Sequence, residues 1–553
     1  LVGLSLDFTV FGVKVGRCPY QIHQSGVFSE ESSMDSETTK SSVIRRWLLR
    51  STLANYVGQF VTFGTGFVLT PFVLHQIGPT SYGLWLLVGS VVAYGGLLDL
   101  GIMSAVIKYV AEYWARGQIM QVQSLIATVL SLYTVLGLIV IALAAALAPF
   151  LPALFNVAPT ERATASWLVL LMGLALGISI PCTITHSVLR GLQRFDLANL
   201  ISISGTLLTT AATIAVLLLG GGLLAMVTVN IPLTLLMQVP AIWLIKHSAP
   251  ELRLGWRGAN RHLVRTVISF SSPMFVMLVA GQLQSKTNEI VVGAFLPISA
   301  VTPYGIARRL SEVAQLLARQ FEKVLLPLAS QLHAENDQAR LRALYTASTR
   351  LTLASFLPIG GIVVILAQPL LTIWVGAVYA EYSYLVLILT LASLIGTSQW
   401  PAASVLQGMA RHRLLAVMSI CSGLASLVLS IALVRDLGLT GVALGTLIAI
   451  GVECLVFVMP YAMHSIGVSA GTMFKEVFWP VLAPAIPMII LLYGLRKAID
   501  PSSLLSVIVV AGIGLLVYAI GYLSVGANAV ERQTYGGLAL SAIRFAKTYL
   551  KRS

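Results

Sequence analysis

The chain has little charge: of 553 residues only 10% are Asp, Glu, Lys or Arg, while 57% are hydrophobic. Soluble domains need a far larger charged share, so a string of soluble domains is excluded. Cysteine is scarce too. Cys18, Cys182, Cys421 and Cys454 form no C-x-x-C or Cys/His cluster, which excludes a disulfide framework and a zinc site. There is no G-x-x-x-x-G-K-[ST] loop, so ATP is not hydrolysed by that route. No two histidines stand at metal-ligand spacing, and His186 reads as a packed helix residue. No Ser/His/Asp triad can be assembled from the sequence. Long loops are missing as well: the largest connection between apolar runs is the stretch from Lys246 to Arg265. Nothing outside the membrane can therefore fold into a catalytic domain, so the chain is not expected to be an enzyme. A membrane polymerase or glycosyltransferase would need a larger outward loop with catalytic residues.

Apolar runs fill the chain instead. A helix needs roughly 20 apolar residues to cross a hydrocarbon core of about 30 Å, and fourteen such runs can be counted. They are residues 50–76, 81–112, 122–150, 166–189, 197–220, 222–246, 265–296, 303–331, 343–366, 382–408, 413–434, 439–463, 474–495 and 502–525. The fold class read from this pattern is an all-α polytopic membrane protein. The net charge of +14 would suggest nucleic acid in a soluble protein, but here its distribution sets orientation. Cations gather on one side, as at Arg45, Arg46, Arg116, Arg194, Arg253, Arg257, Arg340 and Arg411, and the other side holds only Arg162, Arg435, Arg496 and Lys497. The positive-inside rule then places both termini in the cytoplasm.

Residues 187–194 read SVLRGLQR and residues 404–411 read SVLQGMAR, with five of eight positions alike at a spacing of 217. Each closes an apolar run and enters a loop on the basic side. Six runs separate them, an even number, so the two copies point the same way, as in parallel repeats. LLRSTLANYVGQF and LVRTVISFSSPMF, and Phe155 and Trp374, recur at a similar offset. Runs 1–6 and 7–12 thus form two lobes, with runs 13–14 added. The repeated octapeptide marks a helix end anchored by Arg194 or Arg411, not a binding motif. The expected domains are a disordered or mis-assigned tail at 1–44, an N-lobe at 45–247, a cytoplasmic linker at 248–264, a C-lobe at 265–465, two further helices at 466–526 and a basic tail at 527–553. ALSAIRFAKTYLKRS in that tail has the spacing of an amphipathic helix on an anionic leaflet.

Charges inside apolar runs are costly and mark polar cavities or partners. Lys286 and Glu289 share one helix face in QSKTNEIVV, and Arg308, Arg309 and Glu312 share another in IARRLSEVA, with Arg319 about two turns beyond Glu312. Both groups are expected in the outer half of the membrane, facing each other. Lys286, Arg308, Arg309 and Arg319 outnumber Glu289 and Glu312, leaving a cationic cavity suited to a phosphate or diphosphate. Glu453 in AIGVECLVF and Asp99 in LLDLG are isolated acids. Glu453 is a candidate for ion coupling and Asp99 for a bond to nearby backbone.

GFVLTPFVLHQIGPTSYGLWLLVGSVVAYGGLLDLGIMSAVIKYVAEY resembles the first helices of the polysaccharide transporter branch of the multidrug/oligosaccharidyl-lipid/polysaccharide (MOP) flippase superfamily. NEIVVGAFLPISAVTPYGIARRLSEV, followed by LLPLASQLHAEND, resembles the counterpart in the second lobe. The likeness covers most of residues 45–525 and rests on the order of short motifs. It implies two six-helix bundles around a central cavity, and a flippase that moves an undecaprenyl-diphosphate-linked oligosaccharide to the outer leaflet by alternating access. That is the route of an O-antigen or exopolysaccharide unit across a bacterial inner membrane. The implied partners are that glycan lipid, membrane lipids, and polysaccharide polymerase and chain-length machinery, with no nucleic acid. No cofactor is implied beyond proton or sodium coupling. The family's cationic cavity carries over as a type to Lys286, Arg308 and Arg309, while Asn288 and Glu289 stand where many relatives have Asp. The alternatives are a flippase for lipid II, which should carry more first-lobe cations than Asn55, Gln59 and Asp99 provide, and a cation-coupled drug exporter, which an anionic cargo site disfavours.

Overall fold

The computed structural model describes the backbone of residues 35–155, 157–527 and 532, and side chains from residue 58 on except at 273, 274, 320–324 and 412. The expected basic tail lies outside the described residues apart from 527 and 532, as do residues 1–34 of the expected N-terminal tail; residues 35–44 open the first helix. Among the described residues there is no strand. The first half runs through α1 (Asp35–Gly95), α2 (Ile102–Ala115), α3 (Ile119–Leu147), α4 (Leu151–Leu154), α5 (Arg162–Gly191), α6 (Phe195–Leu218), α7 (Leu223–Leu236) and α8 (Gln238–Ser248). The second continues through α9 (Arg261–Phe295), α10 (Val301–Glu312), α11 (Gln315–Ala334), α12 (Gln338–Ile365), α13 (Ala367–Trp374), α14 (Ser383–Ser398), α15 (Trp400–Gly408), α16 (His412–Val452) and α17 (Met459–Ile466). The chain then closes with α18 (Ala470–Met473), α19 (Trp479–Ile499) and α20 (Leu504–Gly521).

Among the described residues, 10 helices, or 11 with the bent α9, are long and apolar enough to cross a membrane. The chain is a multi-pass membrane protein. The expected count of fourteen is not reached by that test, for two physical reasons. Two of the spans, Gly58–Ala115 at 58 residues and Arg413–Ile466 at 54, are far longer than one crossing. They are broken at Gly78 (φ 78°) and Gly438 (φ 56°), where the backbone leaves helical geometry. Then the expected eighth run is split into α10, at 12 residues too short to cross alone, and α11, which carries Arg319, Glu322 and Lys323. The break in Arg413–Ile466 is a reversal. Ser419 meets Glu453, Ser422 meets the Ala449 carbonyl, Ser426 meets Thr446 and Ser430 meets the Val442 carbonyl, so the two arms run antiparallel in one register.

Other breaks fall inside runs that read as continuous. The expected run 81–112 is interrupted at Gly96–Asp99 by a 3-10 turn followed by left-handed Leu100 (φ 52°) and Gly101 (φ 73°). The run 382–408 is interrupted at Gln399, ahead of Pro401, which cannot donate a helical hydrogen bond.

The repeat is visible as paired helix ends. In the first copy the Gln193 N–H donates to the Arg190 carbonyl and the Arg194 N–H to the Leu189 carbonyl; in the second, Ala410 donates to Gln407 and Arg411 to Leu406. Both are Schellman ends, with Gln193 and Ala410 each left-handed at φ 59°. The same bond pattern closes α2 at Gly117 and Gln118 and closes α11 at Asn336 and Asp337. Left-handed Gly220 and Gly438 form a third pair at nearly the same offset. The glycine of each octapeptide serves another purpose: a Cβ on Gly191 would lie 2.7 Å from Val110 in α2, and one on Gly408 would lie 2.8 Å from Ala329 in α11. Each octapeptide arginine then reaches the end of the last helix of its own copy, Arg194 to Ser248 and Arg411 to Ser465.

By packing, the described residues form two compact units, one of 35–305 with Ser430–Val442, the other of Ile306–Leu429 with 443–527. The first has a core around Ile102, Val110, Leu125, Tyr133 and Val188. The second has one around Leu341, Tyr345, Leu406, Met488 and Tyr518, so α19 and α20 are built into it.

Candidate functional site

In the first unit, α9 brings Lys286, Thr287, Asn288 and Glu289 to the end of α1. Gln282 donates its side-chain amide to the Ala93 carbonyl at 3.0 Å, and the Tyr94 hydroxyl donates to the Gln282 carbonyl at 3.3 Å and shares a 2.5 Å hydrogen bond with the Thr287 hydroxyl. This reciprocal pair fixes the register of the two helices. Thr287, Asn288 and Glu289 are buried, Lys286 is half-buried, and the Glu289 carboxylate lies within electrostatic reach of Tyr94. Tyr94 and Gln282 were not among the expected site residues. A tyrosine and a glutamine inside apolar runs are the only sequence signal they give.

Asp99 occupies the break between α1 and α2. Its carboxylate accepts from the Tyr133 hydroxyl of α3 at 2.5 Å and from the backbone N–H groups of Gly101 and Met103. It therefore stands in for an N-cap on α2, satisfying donors that a helix start otherwise leaves unpaired. This is the local reason the backbone tolerates Leu100 in the left-handed region.

In the second unit, Arg308 and Glu312 form an i,i+4 ion pair at 2.5 Å on α10, with Arg309 half-buried beside them. Ser311 on the same helix donates to the Val386 carbonyl and accepts from Thr390, holding α10 against α14. Arg319 is exposed; its guanidinium donates to Gln315 at 2.8 Å and lies 5.4 Å from the Trp400 ring. Arg308 is thus charge-matched within its own helix, while Arg319 bonds a neutral glutamine. Lys286 and Glu289 belong to the other unit, and each set is built by its own packing.

Glu453 is 3% exposed and accepts from the Ser419 hydroxyl at 2.7 Å. It opens a π-helical turn, Glu453–Val458, the kind of local widening that recurs at functional positions in helices. Next to it, Cys454 meets Ser398 and the Ile395 carbonyl of α14. Among the described residues there is no group of three or more His, Cys, Asp or Glu that could hold a metal.

Residues 77–384, more than half the chain, match the family described as "Polysaccharide biosynthesis protein". A curated relative, the probable low-salt glycan biosynthesis flippase Agl15 of Haloferax volcanii, is 22% identical over 254 residues, 46% of this chain. The match spans about half of that relative's length, 53%. Among solved structures, the lipid II flippase MurJ in an inward closed conformation superposes with a TM-score of 0.66 at 14% identity, covering 85% of this chain and 97% of MurJ. An inward-facing multidrug resistance MATE family transporter of the MOP superfamily superposes with a TM-score of 0.64 at 14% identity, covering 74% of this chain and 94% of the transporter. At such identities the structural likeness speaks for the fold. The chain has the MOP fold and belongs to the polysaccharide biosynthesis protein family.

Proposed function

We propose that the chain is a flippase for a lipid-linked glycan, carried on undecaprenyl diphosphate, in a bacterial inner membrane with both termini cytoplasmic. The observation that carries this reading is the family match over residues 77–384, within which all four proposed substrate cations fall. A polar glycan cannot cross hydrocarbon unaided, and a fold of transporters with guanidinium and ammonium groups inside apolar helices suits an anionic lipid carrier. The proposed diphosphate ligands are Lys286 in the first unit and, separately, Arg309 and Arg319 in the second. Arg308 joins them when Glu312 releases it. The site is exposed in turn to each side of the membrane, and substrate binding shifts that balance only by its differential affinity for the two states.

Glu453 is the proposed coupling group, with Glu289, Glu312 and Asp99 as the other acids near the path. A carboxylate that accepts from a serine in an apolar helix pair changes its bonding when a proton or sodium ion arrives. The test is a leaflet-accessibility assay in proteoliposomes with undecaprenyl-diphosphate sugar. Arg309→Ala and Lys286→Ala are each expected to slow flipping at least about tenfold, as loss of a charge-assisted phosphate contact predicts. Wild-type rates in both would defeat the cation assignment, and absence of flipping by the wild type with any diphosphate lipid would defeat the function itself.

A further inference from the structure

The connection between α8 and α9, residues 249–260, is neither a free tether nor part of the site above. Its two legs are tied to the start of α3: the Gln123 amide donates to the Glu251 carbonyl at 2.7 Å, and the Ser124 hydroxyl to the Gly258 carbonyl at 2.8 Å. The Asn260 N–H donates to the Thr128 hydroxyl at 2.9 Å, and the Asn260 side chain caps α9 through the His262 N–H. Ala249 and Leu252 are buried beneath it, so the loop is docked at both ends. From its tip, GWRG, the Trp256 indole N–H donates to the Thr134 hydroxyl at 3.2 Å.

Thr134 lies ten residues beyond Ser124, about 15 Å further along a helix that is itself a candidate membrane span. The indole therefore points along α3 into the depth of the bilayer, and it stays 62% exposed. In the same loop and the first turns of α9, Arg253, Arg257, Arg261 and Arg265 are all exposed, as are Lys246 and His247 at the end of α8, and the one carboxylate between Lys246 and Arg265 is that of Glu251. A docked loop that carries exposed guanidinium groups and holds one exposed indole against a spanning helix is complementary to a lipid that carries a phosphate above acyl chains. Cations at the membrane surface attract anionic headgroups, and an indole reaching along a spanning helix lies at the level of the acyl chains.

We infer that the α8–α9 loop is a fixed binding site for the phosphate headgroup of an anionic phospholipid, with Arg253, Arg257, Arg261 and Arg265 taking the phosphate and Trp256 the upper acyl chain. This does not depend on the flippase reading. A flexible basic tail would attract the same lipids only diffusely; the four hydrogen bonds to α3 make this a site with one geometry.

The test is native mass spectrometry of the full chain released from mixed phosphatidylglycerol and phosphatidylcholine, counting retained lipids. The wild type retains phosphatidylglycerol over phosphatidylcholine by about fivefold or more. The quadruple variant R253Q/R257Q/R261Q/R265Q falls to parity with its helix content unchanged by circular dichroism, and Trp256→Phe, which keeps a ring but loses the bond to Thr134, lies between. Two exposed arginines outside the loop serve as a control, and R116Q/R340Q keeps the wild-type preference. The inference is overturned if the quadruple variant keeps its preference, or if R116Q/R340Q loses as much. It is equally overturned if undecaprenyl phosphate at equal mole fraction displaces phosphatidylglycerol completely, since the site would then belong to the carrier lipid.

Discussion

The two copies of the repeat end their helices alike and pack their interiors differently. At the octapeptides every cap bond has its counterpart 217 positions away, down to the arginine that reaches a serine at the close of its own copy. In the membrane interior the likeness stops. Between α3 and α5 a Cβ on Gly177 would fall 2.6 Å from the Gly137 carbonyl, so the two backbones touch there. At the 217 spacing the matching positions of the second copy are Ala354 and Leu394, both half-buried against its core. Small residues let membrane helices close on one another, since lipid offers no hydrophobic drive for association. At this level the first copy closes on a pair of glycines, and the second on Ala354 and Leu394. What is kept between copies is where helices stop; what diverged is how tightly they pack.

That difference can be broken directly. Gly177→Leu drives a side chain into Ile141 and the Gly137 carbonyl, and is expected to cost about 3 kcal/mol or more. The reciprocal Leu394→Gly leaves space the neighbours partly refill, at about 2 kcal/mol. Thermal midpoints in detergent should fall further for the first, and equal losses would mean the two interiors are packed alike. The caps offer the opposite comparison. Gly191→Val and Gly408→Val press on Val110 and Ala329 respectively, so each should lose a similar amount, about 1–3 kcal/mol by the same measurement. A loss in one copy only would show that the ends are alike in bonds but not in tolerance. The smallest effect is a gain. Gln193→Gly and Ala410→Gly relieve a left-handed conformation that costs a side chain about 1 kcal/mol, offset in part by glycine entropy. Both midpoints should rise slightly and by the same amount.

Much of this was legible because membrane helices announce themselves by length and apolarity, and because one octapeptide was copied closely. SVLxGxxR could be read as a helix end from its place before a basic loop, but not as a Schellman motif. Its glycine is not at the left-handed position; Gln193 and Ala410 are. The break at Asp99 was hidden for a related reason. Its cause is a tyrosine 34 residues away that bonds the carboxylate, and composition around LLDLG carries no trace of Tyr133. The charged residues were found individually, since a Lys or Arg in an apolar run is conspicuous. Of their partners, Arg308 with Glu312 could be read from i,i+4 spacing, whereas Arg319 with Trp400 and Glu453 with Ser419 are tertiary pairs that spacing does not show. The loop of residues 249–260 read as a linker because polar and basic residues between spans usually are one. Only the hydroxyls and amide of α3 at 123, 124, 128 and 134 show that it is docked.

The hairpin of Arg413–Ile466 carries a consequence for how the chain is made. Its hydroxyls at Ser419, Ser422, Ser426 and Ser430, and the carboxyl of Glu453, find partners on the opposite arm of the same hairpin. As the two arms leave the ribosome in succession, the polar groups that would resist entry into lipid are matched as soon as the second arm arrives. The pair can then partition into the bilayer as one unit, before any later helix is synthesised.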